Sequence, residues 1–405
     1  MRSSSPHLGL IGLDQWLGGT IYIHNLIRAL SHLPESERPR ITLFCRCSAD
    51  LFHEVLPLVD KVVIFRSLLD RVFAGTQLAI PARRANALVS AILLRETAPE
   101  LARCAQRERV DAVFPVSGPY TRSLPCPIAW IPDLQHRAFP HLFSPLTCAM
   151  RNHRFSSLLR DPRKHVVFSS RSAMEDATRA FGTPRAHIHL LRFVTVPAPG
   201  WSCDPAPVVA KYRVPTPFFI LCNQFWAHKD HSTAFQAVAK LMRQGLRLYL
   251  VCTGPTRDDR DPAYFPQIQE KIKELGIESQ VQILGTIPRV DQVCLIRAST
   301  GILQPSRFEG WSTVLEDARA LGKPVIASDL PVHLEQAVPG SHFFRTGDSD
   351  SCATTLAKFA QFEPGPTGSP WQHDARVIDF ARASVGIVEA AISRSRGEMM
   401  PQIQH

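Results

Sequence analysis

Two carboxylates eight residues apart, Glu309 and Asp317, fall within Gln304–Ser328, QPSRFEGWSTVLEDARALGKPVIAS. An ionised carboxylate accepts hydrogen bonds on both oxygens, so such a pair suits the diols of a sugar and a ribose. The segment reads as a strand ending in Pro305-Ser306, a loop through Glu309, Gly310, Trp311, Ser312 and Thr313, and then a helix. A loop of this kind presents backbone N–H groups at a helix N-terminus, where phosphate and other anions bind. Gly310 lets the backbone approach a ligand closely. The plainer alternative is that Glu309 caps the helix and Glu316 and Asp317 form a solvated acidic first turn.

The series Pro305, Ser306, Glu309, Gly310, Trp311, Asp317, Ala320, Gly322, Pro324, Val325, Ile326 and Ser328 resembles the nucleotide-sugar signature of family 4 of the retaining glycosyltransferases, which have the GT-B fold. That family shows P-S-x-x-E-G-F/W, a second acid eight residues after the first, and A-x-G-x-P-V-I-x-S. The departure is Asp317, where Glu is usual, with Glu316 beside it. The resemblance spans residues 215–348. Asn223-Gln224-Phe225-Trp226-Ala227-His228-Lys229-Asp230 falls where the family has its G-R-x-x-x-x-K phosphate-gripping loop. Gln224 stands in place of the Arg, and His228 or His231 are the candidates to compensate. Thr253-Gly254-Pro255 and Leu284-Gly285 follow the family pattern, although their glycines read equally as turn residues.

The first half resembles the family less closely. Gly18-Gly19 sit where the family's Gly-Gly loop faces the donor phosphates, or form a plain turn. Asp133 ends a strand in Trp130-Ile131-Pro132-Asp133-Leu134-Gln135-His136. Many relatives have a His-Asp pair there, the His contacting the donor sugar. Here Pro132 replaces that His, and His136 is the available imidazole, set against a surface histidine as the default. The resemblance thus implies Lys229, Glu309, Asp133 and His136 as catalytic residues. It implies Gly18, Gly19, Asn223, Gln224, Gly310, Trp311, Ser312, Thr313, Glu316 and Asp317 as donor-binding residues. Lys229 would pair with the donor diphosphate, Glu309 would hold donor-sugar hydroxyls, and Asp317 or Glu316 the ribose. No metal and no cofactor are expected, the nucleotide-sugar being a substrate.

Two further patterns carry less. Asp259-Arg260-Asp261 spells the Asp-x-Asp by which another glycosyltransferase fold binds manganese, but it reads as a solvated loop. His187 and His189 share one face of a strand at spacing two, and a structural pair is expected rather than a metal site.

Short apolar runs alternate with longer amphipathic stretches, the signature of βα units and parallel sheets. Strands are expected at Leu8–Gly12, Arg40–Phe44, Lys61–Phe65, Val110–Pro115, Pro127–Ile131 and His165–Phe168. Helices are expected at Thr20–Leu33, Ala82–Arg107, Pro145–Leu159 and Ser172–Phe181. Val196–Pro217 holds six prolines and reads as a linker. The pattern then restarts, with strands at Phe218–Cys222, Arg247–Cys252, Val281–Leu284, Gly301–Gln304 and Pro324–Ala327. Helices follow at Ser232–Arg243, Pro266–Leu275, Val290–Arg297 and Thr313–Leu321. A loose stretch, Glu363–Pro370, precedes a closing helix, Asp374–Ser393. The expected fold is α/β, two Rossmann-like doubly wound domains facing across a cleft (GT-B). Residues 1–200 would take the acceptor, 201–372 would bind the nucleotide-sugar, and 373–405 would return to the first domain.

Composition narrows the class. The chain has 405 residues, 45% hydrophobic and 20% charged, which excludes a disordered protein. No apolar run approaches the roughly 18 residues of a membrane span. The short apolar stretch before Asp14 argues against a secretory signal. Ten cysteines show no repeated Cys-x-x-Cys spacing, against both a disulfide framework and structural zinc. Residues 1–200 carry 25 Lys and Arg against 15 Asp and Glu, while 201–405 carry 21 of each. Basicity confined to one half suits an anionic partner or surface, or is a general solubility charge. Nucleic acid is not expected, since the arginines are dispersed without an aromatic platform. Arg66, Arg71, Arg83, Arg84 and Arg95, near the apolar-rich stretch Phe65–Leu94, suit an anionic membrane surface; a core helix with a wet Arg face is the alternative. The expectation is a cytoplasmic hexosyltransferase, peripheral on the inner membrane face. It would move a sugar, with GDP-mannose the preferred donor, to a saccharide or lipid-linked acceptor in surface polysaccharide assembly. The alternatives are a non-catalytic binding subunit and a GT-B epimerase or phosphorylase.

Overall fold

The structure, a computed structural model, describes residues 5–14, 16–66, 99–118, 123–202, 204–360 and 373–397. Most of the expected helix Ala82–Arg107, the residues Arg71, Arg83, Arg84 and Arg95, and the stretch Glu363–Pro370 lie outside the described residues. The described end of that helix runs Pro99–Glu108.

Seven short runs form one parallel sheet: β1 (His7–Ile11), β2 (Arg40–Arg46), β3 (Lys61–Phe65), β4 (Ala112–Val116), β5 (Pro127–Ile131), β6 (His165–Phe168) and β7 (His187–Leu190), in the order β3-β2-β1-β4-β5-β6-β7. Central strands such as β4 are buried along their whole length, so they read as continuous apolar runs rather than alternating ones. The helix Arg171–Phe181 starts where Ser170 Oγ accepts the Ala173 N–H at 2.9 Å. The helix His373–Ser395 packs against this same unit. Its Arg382 Nε donates to Glu37 at 2.8 Å, and its Phe380 meets Tyr22 edge-on at 6.5 Å.

The second sheet is built from β8 (Phe218–Cys222), β9 (Tyr249–Thr253), β10 (Val281–Gly285), β11 (Gly301–Gln304), β12 (Val325–Ser328) and β13 (Ser341–Phe344), again parallel, in the order β10-β9-β8-β11-β12-β13. The helices His231–Arg243, Tyr264–Leu275 and Ser349–Ala360 bury one face of it. Ala206–Tyr212, Arg289–Ala298 and Thr313–Ala320 bury the other. Strand order reverses at β1/β4 in the first sheet and at β8/β11 in the second. Loops leaving the strand C-termini at such a point diverge and leave a crevice for ligands. Because β8 runs into Asn223 and β11 into Pro305, both loops singled out in the sequence leave the second sheet's reversal point.

Two compact units emerge, one from Met1–Pro132, Leu146–Val196 and Asp374–His405, the other from Asp133–Pro145 and Pro197–His373. The excursion Asp133–Pro145 therefore belongs with the second sheet, not the first half of the chain. The Pro-rich stretch is not wholly extended: Ala206–Tyr212 is a helix with Pro205 at its N-cap, where a missing N–H costs nothing. The sequence pattern also passed over β13 and the helices Pro331–Glu335 and Ser349–Ala360.

Strands β6 and β7 bring three imidazoles together. His165 Nδ1 lies 3.0 Å from His189 Nε2 with the rings stacked, and the His187 ring is 4.9 Å from that of His165. Arg394 Nη1 approaches His187 Nε2 at 3.4 Å. No group of three His, Cys, Asp or Glu able to hold a metal ion occurs among the described residues. Burial, reinforced by the neighbouring histidines and Arg394, lowers His165 to about 3 and His189 to about 4. In the unfolded chain both titrate near 6.5, so below that pH the unfolded state binds more protons and stability falls as pH falls. Urea unfolding monitored from about pH 7 to about pH 4.5 should show this decline, lessened in His165→Phe. A decline identical in the variant would show that the cluster contributes nothing to it.

Candidate functional site

The site grows from the ends of two adjacent buried strands. Gln304 ends β11 and Asn223 follows β8, and Asn223 Nδ2 donates to Gln304 Oε1 at 3.0 Å. With its carbonyl oxygen so engaged, Gln304 turns its amide toward Glu309 and donates to Oε1 at 2.9 Å. Ser306 Oγ donates to the same oxygen at 2.8 Å, and Lys229 Nζ at 2.6 Å. Among the described residues, all three hydrogen bonds to the Glu309 side chain fall on Oε1 and none on Oε2. The Lys229 and Glu309 side chains are only 11% and 9% exposed, so the ion pair is largely desolvated.

Lys229 reaches this position through a single tight turn, Ala227–Lys229. Asp230 then adopts a left-handed conformation (φ 51°), and its carboxylate caps the helix His231–Arg243 by accepting from the Thr233 N–H at 3.4 Å, while Thr233 Oγ1 donates to its other oxygen at 2.7 Å. The Arg307 N–H donates to the His228 carbonyl at 2.8 Å, tying this turn to the Glu309 loop. Gly254, at φ 135°, lets the β9 loop pass under the β8 loop. A Cβ there would lie 2.2 Å from the Asn223 carbonyl oxygen, so no other residue fits.

The second pair of acids is buried, not solvated. Ser312 Oγ caps the helix Thr313–Ala320 at Leu315 N. Gln336, just beyond the helix Pro331–Glu335, accepts from Ser312 N–H at 2.7 Å and donates to Ser312 O at 3.0 Å and to Glu316 Oε1 at 3.1 Å. The N–H groups from Gly310 to Thr313 are therefore not one open anion-binding set, because that of Ser312 is occupied by Gln336. Glu316 lies 3.7 Å from Arg319 as well, which makes it part of the loop's scaffold. Asp317 Oδ1 instead accepts from Arg289 Nη2 at 2.6 Å. Arg289 stacks over Trp201 at 5.0 Å, and Gln292, which accepts from Arg289, donates to Thr253 Oγ1 at the end of β9.

The Asp133–Pro145 excursion supplies the site's other wall. Asp133 Oδ1 accepts from Gln135 N at 2.9 Å. His136 is not a surface histidine: it is 1% exposed, edge-on to Phe143. Phe139 packs 6.4 Å from the His228 ring and 6.3 Å from Phe308 of the Glu309 loop. Gln135 Oε1 accepts from Arg260 Nη1 at 3.1 Å. Arg260 corrects the solvated-loop expectation for its tripeptide. Asp259 is exposed and pairs with Arg257, but Arg260 turns inward, grips Asp258 through two hydrogen bonds of 2.9 Å, and lies over the Trp226 ring at 4.4 Å.

Burial disfavours a charge on His228 and His231, the two candidates to stand in for the Arg absent at Gln224. Burial, with Lys229 and Arg260 adding, pushes His228 down to about 2. Burial and Lys229 push His231, stacked on Phe225 at 4.1 Å, down to about 3. Both are neutral near pH 7 and offer no charge to an anion. The guanidinium beside Trp226 is that of Arg260.

In the first unit, Gly18 and Gly19 lie in the opening turn of the helix Leu17–Ser31, under the indole of Trp16. A Cβ on Gly18 would come within 2.9 Å of that ring, and one on Gly19 within 3.0 Å. Packing of Trp16 is thus the local reason for Gly18, whereas a Cβ on Gly19 would meet Leu13 first, at 2.9 Å. Sequence reasoning missed Gln304, Gln336, Arg260, Arg289 and Trp16. Only Gln304 carried a signal, as a polar residue closing an apolar strand.

Residues 210–366 match the family model of glycosyl transferases group 1. EpsF of Bacillus subtilis is 32% identical over 106 residues, 26% of each chain. The O-antigen chain mannosyltransferase RfbU of Salmonella typhimurium is 26% identical over 145 residues, 36% of this chain and 38% of that one. The Anabaena protein HepE, solved in complex with UDP and glucose, superposes with a TM-score of 0.61 at 15% identity over 97% of this chain and 98% of that one. The chain thus has the GT-B fold, and its residues 210–366 are similar to the group 1 glycosyl transferases. The chain's matches span about a quarter of the length of the first curated relatives.

The buried ion pair yields a stability test. Lys229→Met leaves Glu309 as a desolvated charge with two neutral donors, and should destabilise the second unit by about 3–5 kcal/mol in urea unfolding. The double variant Lys229→Met/Glu309→Leu should recover most of that loss. A single variant as stable as the parent would mean that Glu309 finds its solvation elsewhere.

Proposed function

We propose that the chain transfers a hexosyl group from a nucleotide-sugar to a saccharide or lipid-linked saccharide, with retention at the anomeric carbon. The observation that carries this reading is Glu309. Three donors hold one oxygen at the reversal point of the second sheet, leaving Oε2 to accept from a donor-sugar hydroxyl. The glycosidic bond to the diphosphate breaks as the acceptor oxygen bonds to the same face of the anomeric carbon. The acceptor's proton passes to the departing phosphate. Lys229 lies where the diphosphate's negative charge grows, and charge stabilisation there lowers the barrier. Arg260, held by Asp258, supplies a second cation in place of the residue at Gln224. Asp317, aligned by Arg289, takes the ribose diol, while Glu316 serves the loop behind it. Asn223 positions Gln304, and Asp133 and His136 face the donor sugar from the excursion. Gly310, Trp311 and Thr313 complete the loop around the phosphates, and Gly18 and Gly19 shape the first sheet's edge.

A mannosyl donor is favoured by the similarity to RfbU, whereas HepE was solved with UDP, so the base is decided by experiment. A lipid-linked acceptor would bring the enzyme to the inner membrane face. No helix among the described residues is long and apolar enough to cross a membrane.

Thermal unfolding with GDP, UDP and ADP and their sugar conjugates, in EDTA, is the direct test. A nucleotide at 100 times its Kd should add about 2.7 kcal/mol. Glu309→Gln should keep nucleotide binding within about threefold and lose at least about 100-fold in kcat, the scale of one transition-state contact. Arg260→Gln should weaken the diphosphate about tenfold and leave the free nucleoside unaffected. Nucleotide binding without turnover of any saccharide would instead identify a binding subunit.

A further inference from the structure

Trp16 is 40% exposed, yet one face of its indole is built into a stack. Its ring lies 5.7 Å from Trp130 with 23° between planes, and Trp130 lies 4.3 Å from Tyr22 with 15° between planes. Trp130 is itself fixed by donating Nε1–H to Ser169 Oγ at 3.0 Å, and Tyr22 is fully buried. The loop carrying Trp16 is pinned by Thr20, whose hydroxyl donates to Leu13 O at 2.6 Å and whose N–H donates to Trp16 O at 3.1 Å. Gly18 gives the indole its seat, since an added Cβ would lie 2.9 Å from the ring, and Gly19 fits between Leu13 and the same ring. The loop follows β1, beside the order reversal of the first sheet, and Trp130 lies near the C-terminal end of β5.

We propose that Trp16 is a preformed stacking platform for a pyranose ring of the acceptor saccharide, and that Gly18-Gly19 serve this platform. The occupant rests on the transferase reading above, in which the acceptor is a saccharide. The platform rests on geometry alone. A pyranose presents a patch of C–H groups about the size of one indole, with hydroxyls around its rim that remain hydrated. The electron-rich aromatic face attracts those C–H groups much as it attracts other partially positive groups. Because packing fixes the ring before binding, little side-chain freedom is lost on contact, which is what a weakly hydrophobic ligand requires. The location fits the rule that open parallel sheets bind ligands at strand C-termini where the order reverses.

The test labels the full chain with 5-fluorotryptophan, assigns the Trp16 resonance by its loss in Trp16→Phe, and titrates methyl glucopyranosides, galactopyranosides and mannopyranosides. The expected result is a saturable shift of the Trp16 resonance with at least one pyranoside. In parallel, Trp16→Ala should raise the KM of a pyranoside acceptor by about tenfold, the scale of one buried aromatic contact, with the donor KM unchanged. Trp16→Tyr should restore most of that loss. No saturable shift with any pyranoside overturns the proposal, as does a Trp16 response to phosphatidylglycerol vesicles alone. Nucleotide stabilisation of the parent chain, measured alongside, separates the two failures. Its absence would sink the transferase reading, whereas its presence with an unresponsive Trp16 would sink only the platform.

Discussion

The second unit's site depends on one oxygen atom. Glu309 Oε1 takes a cation and two neutral donors at once, and each donor comes from a different turn of chain: Lys229 after β8, Gln304 at the end of β11 and Ser306 in the loop beyond. A carboxylate removed from water is tolerated only when its charge is compensated and its lone pairs are bonded. That requirement explains features with no chemistry of their own. Asn223 keeps Gln304 in the orientation that donates to Glu309. Asp230 accepts a left-handed backbone so that Lys229 ends its turn facing the acid. Gly254 yields the space in which the Asn223 loop sits.

Charge in this neighbourhood is set by burial as much as by composition. Two histidines beside Lys229 look, in sequence, like substitutes for a missing arginine. Desolvation and the adjacent ammonium keep both uncharged, so the loop around Lys229 is less cationic than its letters suggest. A guanidinium resists such neutralisation, because its proton is held too tightly for burial to remove. Arg260, gripped by a carboxylate with almost no exposure of its own, is therefore the group that keeps a positive charge beside Trp226.

The fold was largely legible because the strands of a doubly wound sheet are short, apolar and spaced by helices, and each such run in the described residues became a strand. What escaped notice was short or proline-led. β13 is four residues with mostly half-buried positions, and Ala206–Tyr212 opens behind a proline in a stretch where proline reads as extended chain. The Glu309 segment was legible in its residues but not in their division of labour. Spacing could not tell that Glu316 faces Gln336 while Asp317 faces Arg289, because neighbouring residues on a helix point about 100° apart and only the packed partner distinguishes them. Gln336 itself lies 27 residues beyond Glu309, on a connection with no motif.

The Asp133–Pro145 excursion shows why the site's other wall was harder to read. Its residues leave β5 as a continuation of the first sheet, and a linear division of the chain keeps them there. They nevertheless pack by aromatic contacts on the second sheet's loops, with Phe139 between His228 and Phe308 and with Gln135 on Arg260. A phenylalanine at each of positions 139, 143 and 308 is unremarkable in sequence, since scattered apolar residues have no period in loops. Once folded, the buried His136 lies edge-on to Phe143. That ring in turn lies 5.6 Å from the Arg260 guanidinium. Phe143 thus touches both the Arg260 guanidinium and the His136 imidazole, so a change at Phe143 would disturb the surroundings of both even though it carries no chemistry.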